Sequence, residues 1–309
     1  MARRYYRKLA ALAKIEATYG VNAAPTGAAN ALVMSDVSVT PLQGDQVSRD
    51  LMLPYFGDQG SVLAGINVRV EGSIEIAGAG AAGAVPGYGV MLRACGLSET
   101  VTAGVKVEYQ PVSGGQEAAT IFMNLDGVNH VLLGARGTVT LSETPKQIPR
   151  FRFTMTGLLG PIADTPLPTQ VLTGFQKPLV VSAENTTFSL HGLVAPMESF
   201  TLDLGNQVEA RMLVGSESIE IVDRKAKGTA VIEAVSLATK DWYAAAKNSV
   251  VGPMLSRHGL VAGNIVEIQA PAVQVGPPTH GNTQGVLNTS LPLMLCPVAG
   301  DDELIIRVL

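Results

Sequence analysis

Charge is scarce in this chain. Lys, Arg, Asp and Glu make up 16% of its 309 residues, where a soluble globular protein usually carries about a quarter. Aromatic residues reach only 5%, which counts against a sugar-binding surface built from exposed rings. The two cysteines, Cys95 and Cys296, lie far apart with no ligand-like spacing. That excludes a disulfide framework or a cysteine metal site, and it predicts a reduced cytosolic origin with both thiols buried as small hydrophobes. No apolar run approaches membrane-spanning length. The stretch from Leu9 to Ala13 is too short, and too broken by Lys14 and Glu16, to be a signal sequence. Basic excess is missing too. A net charge of −4 argues against a protein that grips nucleic-acid backbones. The one basic cluster is Arg3, Arg4, Arg7 and Lys8, interleaved with Tyr5 and Tyr6; a terminal run of this kind reads as solvated or as an interface arm.

What is plentiful is small and apolar. Hydrophobic residues are 47% of the chain, with 33 glycines and 18 prolines. This mixture suits many short strands joined by tight turns. Its surface would be more apolar than a free monomer normally shows, so the composition predicts an obligate assembly.

The chain also repeats itself. Leu42-Gln-Gly-Asp-Gln-Val47 returns as Asp203-Leu-Gly-Asn-Gln-Val208, and Ala103-Gly-Val-Lys-Val-Glu-Tyr-Gln110 as Ala262-Gly-Asn-Ile-Val-Glu-Ile-Gln269. The order is the same in both copies and the period is roughly 160 residues, the size of a whole domain. The expected organisation is an arm over residues 1–30, a first β-domain over 31–160, a proline-rich linker over 161–183 and a second β-domain over 184–309.

Local patterning agrees with a mainly β fold. Ile66, Val68, Val70, Ile74 and Ile76 alternate with polar residues, as do Phe151, Phe153 and Met155, giving half-buried antiparallel strands. Asp126-Gly127 predicts a tight hairpin, with no counterpart expected in the second half. One short helix is predicted in each half, over Tyr88–Leu97 and Ala238–Lys247. A third is predicted over Arg3–Tyr19 from the spacing of Tyr5, Leu9, Leu12, Ile15 and Tyr19, stopped by Gly20. The repeated glycines Gly44 and Gly205 read as turn or bulge positions needing positive φ.

Nothing in the sequence makes a case for catalysis. Gly78-Ala-Gly-Ala-Ala-Gly83 fits the dinucleotide-binding spacing, but Pro86 and Gly87 delay the helix that would meet a pyrophosphate, and parallel βαβ units are absent, so a flexible loop is expected. The four histidines lie in separate segments without carboxylate or cysteine neighbours at ligand spacing, and no nucleophile elbow is present. No metal and no cofactor is expected.

Lys14-Ile-Glu-Ala-Thr-Tyr-Gly20, Pro41-Leu-Gln-Gly-Asp-Gln-Val-Ser-Arg-Asp-Leu51, Leu202-Asp-Leu-Gly-Asn-Gln-Val-Glu-Ala-Arg211 and Gly215-Ser-Glu-Ser-Ile-Glu-Ile-Val-Asp-Arg-Lys225 together resemble the major tail tube proteins of long-tailed, non-contractile bacteriophages. The resemblance implies two tandem tail-tube-like antiparallel β-sandwich domains, each with one short flanking helix. It further implies a virion structural protein, made in the bacterial host cytoplasm, that stacks as rings into a hollow tube for double-stranded DNA. Two domains per chain imply a ring of three chains with pseudo-sixfold symmetry. The implied partners are the chain itself, a tape measure protein and the tail tip and terminator proteins; DNA passes without specific binding, and no membrane is involved. Carried onto this chain, the contact candidates are Arg3, Arg4, Tyr5, Arg7 and Tyr19 in the arm, Gln46, Arg49 and Tyr55 in the first long loop, and Gln207, Arg211, Arg224 and Lys225 in its second-half counterpart. A secretion-type (Hcp-like) tube, another virion component or, less readily, a carbohydrate-binding β-sandwich adhesin are the alternatives.

Overall fold

The computed structural model of the chain describes residues 3–309. Strands dominate. In the first half they are β1 (Leu9–Ile15), β2 (Ala31–Leu32), β3 (Ser35–Ser48), β4 (Ser61–Glu75), β5 (Leu97–Thr102), β6 (Lys106–Pro111), β7 (Ala119–Leu125), β8 (Val128–Glu143) and β9 (Arg150–Asp164), with helix α1 (Gly89–Ala94) between β4 and β5. The second half holds β10 (Thr186–Leu190), β11 (Leu193–Val194), β12 (Met197–Asp203), β13 (Asn206–Leu213), β14 (Ser216–Arg224), β15 (Lys227–Glu233), helix α2 (Trp242–Lys247), β16 (Val251–His258), β17 (Val266–Val275), β18 (Thr279–Thr283), β19 (Val286–Leu295) and β20 (Ile305–Val308).

One continuous antiparallel sheet runs through both halves in the order β3-β4-β9-β8-β12-β15-β19-β18. Period-two patterning builds it. Val70, Val139, Leu141, Phe151, Phe153, Met155, Phe200, Leu202, Ala230, Ile232, Leu291 and Leu293 all turn to one face and are buried. A second layer, β5-β6-β20-β17-β16-β10-β11, covers part of that face. Both layers cross from one half to the other, at β8–β12 and at β6–β20. A single apolar cluster with members from both halves fills the space between them.

Two expectations need correction at this level. The segment Arg3–Tyr19 is not a helix: β1 pairs with β2 and along its whole length with β7. Ala10, Ala11, Leu12 and Ala13 are all buried, which requires apolar residues on both faces of a strand. A run apolar on both faces suits a fully buried strand better than an amphipathic helix, and this pairing outweighs the helical propensity of Ala and Leu. The other correction concerns the thiols: Cys95 is buried but Cys296 is only partly so. The expected hairpin at Asp126-Gly127 forms between β7 and β8, with φ 45° and 101°. The tight turn of the second half, Gln284-Gly285 at φ 55° and 86°, joins β18 and β19, which stand in the sheet where β8 and β9 do, so it is no counterpart of the β7–β8 hairpin.

The glycine loop after β4 has a packing role. Gly80 N–H donates to the Gly263 carbonyl (2.8 Å) and Gly78 N–H to Asn264 Oδ1 (2.7 Å). A Cβ on Gly78 would stand 2.1 Å from the Gly263 oxygen. Glycine is required because two backbones from opposite halves touch there.

The repeated Gly-[Asp/Asn]-Gln-Val strings diverge in geometry. At Gly205 φ is +67°, and the chain turns out of the main sheet so that β13–β14 forms a separate two-stranded ribbon. The cause lies in β8, whose edge is shared: β12 pairs with residues up to Thr140, and β7 takes the edge from Ala135 onward. The strand leaving β12 has no edge left to follow. Gly44 instead sits at a bulge in β3 without positive φ, close against the Ala64 carbonyl. There β3 and β4 stay paired with each other beyond the bulge, from Asp45 opposite Ala64 to Ser48 opposite Ser61.

Candidate assembly surfaces

The outward face of the long sheet is polar and nearly neutral. Cross-strand pairs place Glu71, Thr154 and Thr138 in one row, Arg152, Thr140, Asp203 and Lys227 in the next, and Arg150, Ser142, Thr201 and Thr229 in a third. Hydroxyls predominate because alternate positions face solvent while β-branched threonine still suits a strand. The arginines are matched by carboxylates: Arg152–Glu71 at 2.6 Å, Arg69–Glu71 at 2.8 Å and Arg150–Asp36 at 3.0 Å. The Arg152 hydrogen bond, reinforced by Arg69, holds the Glu71 carboxyl below the usual carboxylate range.

The β13–β14 ribbon lies on the first half and is fastened by side chains from several elements. Arg136 donates to the carbonyls of Ile219 (2.8 Å) and Gln116 (2.9 Å), pairs with Glu220, and sits over the Tyr19 ring at 5.0 Å. Tyr19 Oη accepts from Ile219 N–H at 2.6 Å, and burial raises its pKa. Asn206 Nδ2 donates to the carbonyls of Cys95 (2.6 Å) and Gly137 (2.9 Å). At the far end of β14, Arg224 pairs with Glu303 (2.5 Å) and Asp301 (2.8 Å). Tyr19→Phe is expected to lower stability by about 1 kcal/mol, the ordinary worth of one such bond, as read from urea unfolding; no change would show that the Ile219 amide is satisfied without it.

The β3–β4 ribbon is bare. Beyond Gly44 nearly every residue is exposed, and its tip, Leu51, Met52, Leu53, Tyr55 and Phe56, presents large apolar side chains to solvent. A monomer rarely exposes a cluster of this kind, which marks a contact surface.

The contact candidates therefore divide. Gln46, Arg49 and Tyr55 lie on the bare ribbon, exposed. Gln207 and Arg211 are exposed on the fastened ribbon, and Lys225, itself exposed, pairs with its neighbour Asp223. Tyr19 and Arg224 are instead used within the chain. Of the basic cluster, Arg4 reaches Asp164 (2.8 Å), Tyr5 N–H donates to Asp126 Oδ2 (2.6 Å), and Arg3 and Arg7 are exposed. Residues 1 and 2 of the expected arm lie outside the described residues, and what precedes β1 within them is short. Arg136 and Asn206 escape sequence reasoning because their partners are distant in the chain. A buried, multiply bonded arginine has no local signal.

Among the described residues no group of three or more His, Cys, Asp or Glu is placed to hold a metal ion, and no helix is long and apolar enough to cross a membrane. No curated protein matches the chain. Its sequence does match the phage tail tube proteins over residues 7–284, nearly the whole length, in keeping with the β-rich fold. That match sets aside the adhesin and enzyme readings. The chain is a non-enzymatic structural component of the virion tail and belongs to the phage tail tube protein family.

Proposed function

We propose that three copies of this chain close into a ring with pseudo-sixfold symmetry, and that stacked rings form the conduit for double-stranded DNA. In this reading each chain is two tandem tail-tube units, residues 31–160 and 184–309, joined by the 161–183 segment. The observation that carries it is the long sheet. Each half contributes four strands, and the β8–β12 pairing sets the two groups side by side. Barrels of about 16 to 18 strands make only porin-sized channels. Three chains would supply about two dozen strands, enough for a wider lumen.

The polar outward face of that sheet suits the lumen wall. Phosphates would meet hydroxyls and arginines already paired with carboxylates, so the counterion release that drives tight DNA binding would be small. The apolar tip of the β3–β4 ribbon, with Arg49 and Tyr55, and the residues around Arg3, Arg4, Tyr5 and Arg7 are the proposed ring-to-ring contacts. Tape measure and tip or terminator proteins are the proposed partners at the lumen and at the two ends. Cryo-EM of the assembled protein tests the reading. The expected result is stacked rings of three chains around a lumen that admits duplex DNA. Rings of six chains, or a lumen too narrow for a duplex, would overturn it.

A further inference from the structure

The long sheet ends in two unpaired edges. Among the described residues β3 pairs with β4 alone and β18 with β19 alone. Inside the same sheet, β8 of the first half pairs with β12 of the second, with Ser142 opposite Thr201 and Leu141 opposite Leu202. β3 is the repeat counterpart of β12: Ser38-Val-Thr40 precedes Gly44 as Ser199-Phe-Thr201 precedes Gly205. β18 stands where β8 does. Val70 on β4 faces Met155 on β9, as Ala230 on β15 faces Leu291 on β19. Counting from those anchors, Ser142 opposite Arg150 corresponds to Thr283 opposite Val286.

We infer that the contact between neighbouring chains in the ring repeats the contact between the two halves of one chain: the β3 edge of one copy pairs antiparallel with the β18 edge of the next, Thr40 opposite Thr283. This rests on the ring reading above and specifies which edges meet and in what register. An exposed strand edge is a template for pairing with another chain, and the occupant here is a second copy, because the chain already holds the homologous junction in its own interior.

The ribbons extend the same argument. Val47–Val62 on the β3–β4 ribbon corresponds to Val208–Ile221 on β13–β14. Ile221 is 9% exposed, covered near Gly96 at the end of α1, whereas Val62 is 57% exposed. In the next copy the place of Gly96 (φ 75°) is taken by Ser249 (φ 51°) at the end of α2, followed by the exposed Val250 and Val251. The bare ribbon of one chain therefore has an apolar seat on the next. Because β18 is short and no strand like β7 takes over its edge, the docking ribbon need not turn away as β13 does.

The test is a disulfide across the junction. Opposed Cβ atoms in an antiparallel pair lie about 4.5–5.5 Å apart, close to disulfide reach. The double variant Thr40→Cys, Thr283→Cys is made on a Cys296→Ser background, assembled, oxidised and run on a non-reducing gel. Covalent dimers and a closed trimer are expected, with single-cysteine controls remaining monomeric. A ladder running to six chains would keep the junction and sink the three-chain ring. Three-chain rings visible by cryo-EM without any cross-link would overturn the junction and leave the ring standing. If the double variant does not assemble, wild-type tubes decide: β3 resolved against the neighbouring β18 supports the inference, and any other partner on that edge overturns it.

Discussion

Gly205→Ala is expected to destabilise the protein by roughly 3 kcal/mol or more, through two effects that act together. Gly205 holds φ at +67°, a left-handed conformation that costs an L-residue about 1–2 kcal/mol. An added Cβ would also stand 2.1 Å from the Lys225 carbonyl oxygen and 2.7 Å from its carbon. That obstacle is backbone, so it cannot be relieved by a rotamer change; the two strands must part. Parting them pulls Asn206 from the Cys95 and Gly137 carbonyls and loosens the ribbon from Tyr19 and Arg136. Urea unfolding should show the loss, and limited proteolysis should cut between 206 and 224 first. Gly44→Ala should cost less in the isolated chain, because φ is ordinary there and the β3–β4 ribbon beside it is free to shift. A Gly205→Ala protein within about 0.5 kcal/mol of the parent, the range of neutral surface changes, would refute the assigned role of this turn.

Much of the sheet was legible from period-two patterning. Ile66 to Ile76 and Phe151 to Met155 form β4 and β9 as read, and Asp126-Gly127 makes the expected turn, because these signals are local and each belongs to one strand. β1 was misread because its signal depends on what covers it: an Ala- and Leu-rich run with a pairing partner more than a hundred residues away looks helical by itself. The same distance hides Arg136, whose neighbours Tyr19, Gln116 and Ile219 come from three separate segments. Arg224 illustrates the opposite error. In sequence it reads as a contact candidate for a neighbouring subunit, yet its side chain is 11% exposed and held by two carboxylates of the C-terminal loop. The repeated strings were legible, but the geometry each adopts was not. Whether a repeated glycine bends the chain depends on whether a neighbouring strand already occupies the edge, as β7 does beside β8.

The β8–β12 junction carries a titratable group. Glu143 sits at the end of β8 opposite Phe200 of β12, 1% exposed, and Ser256 Oγ donates to its Oε2 at 2.5 Å. Burial pushes its pKa up to about 7, against the pull of the Ser256 bond. In the unfolded chain the group ionises near the ordinary glutamate value, so between about pH 4.5 and 7 the folded state binds more protons and stability falls as pH rises. Above pH 7 the penalty is complete, on the order of 3 kcal/mol. Glu143→Gln removes the charge while keeping an acceptor for Ser256. The variant is expected to match the parent near pH 4.5 and to exceed it by about that amount at pH 8. Urea unfolding of both proteins across this range measures the difference. His130, His191 and His258, whose pKa values burial lowers, act in the opposite direction but equally in both proteins, so they cancel. Parallel stability profiles would show that Glu143 is solvated or neutralised in the folded chain. By the register inferred above, the corresponding place between chains belongs to Gln284, which carries no charge. Raising the pH should then weaken the join within each chain while leaving the strand pairing between chains untouched.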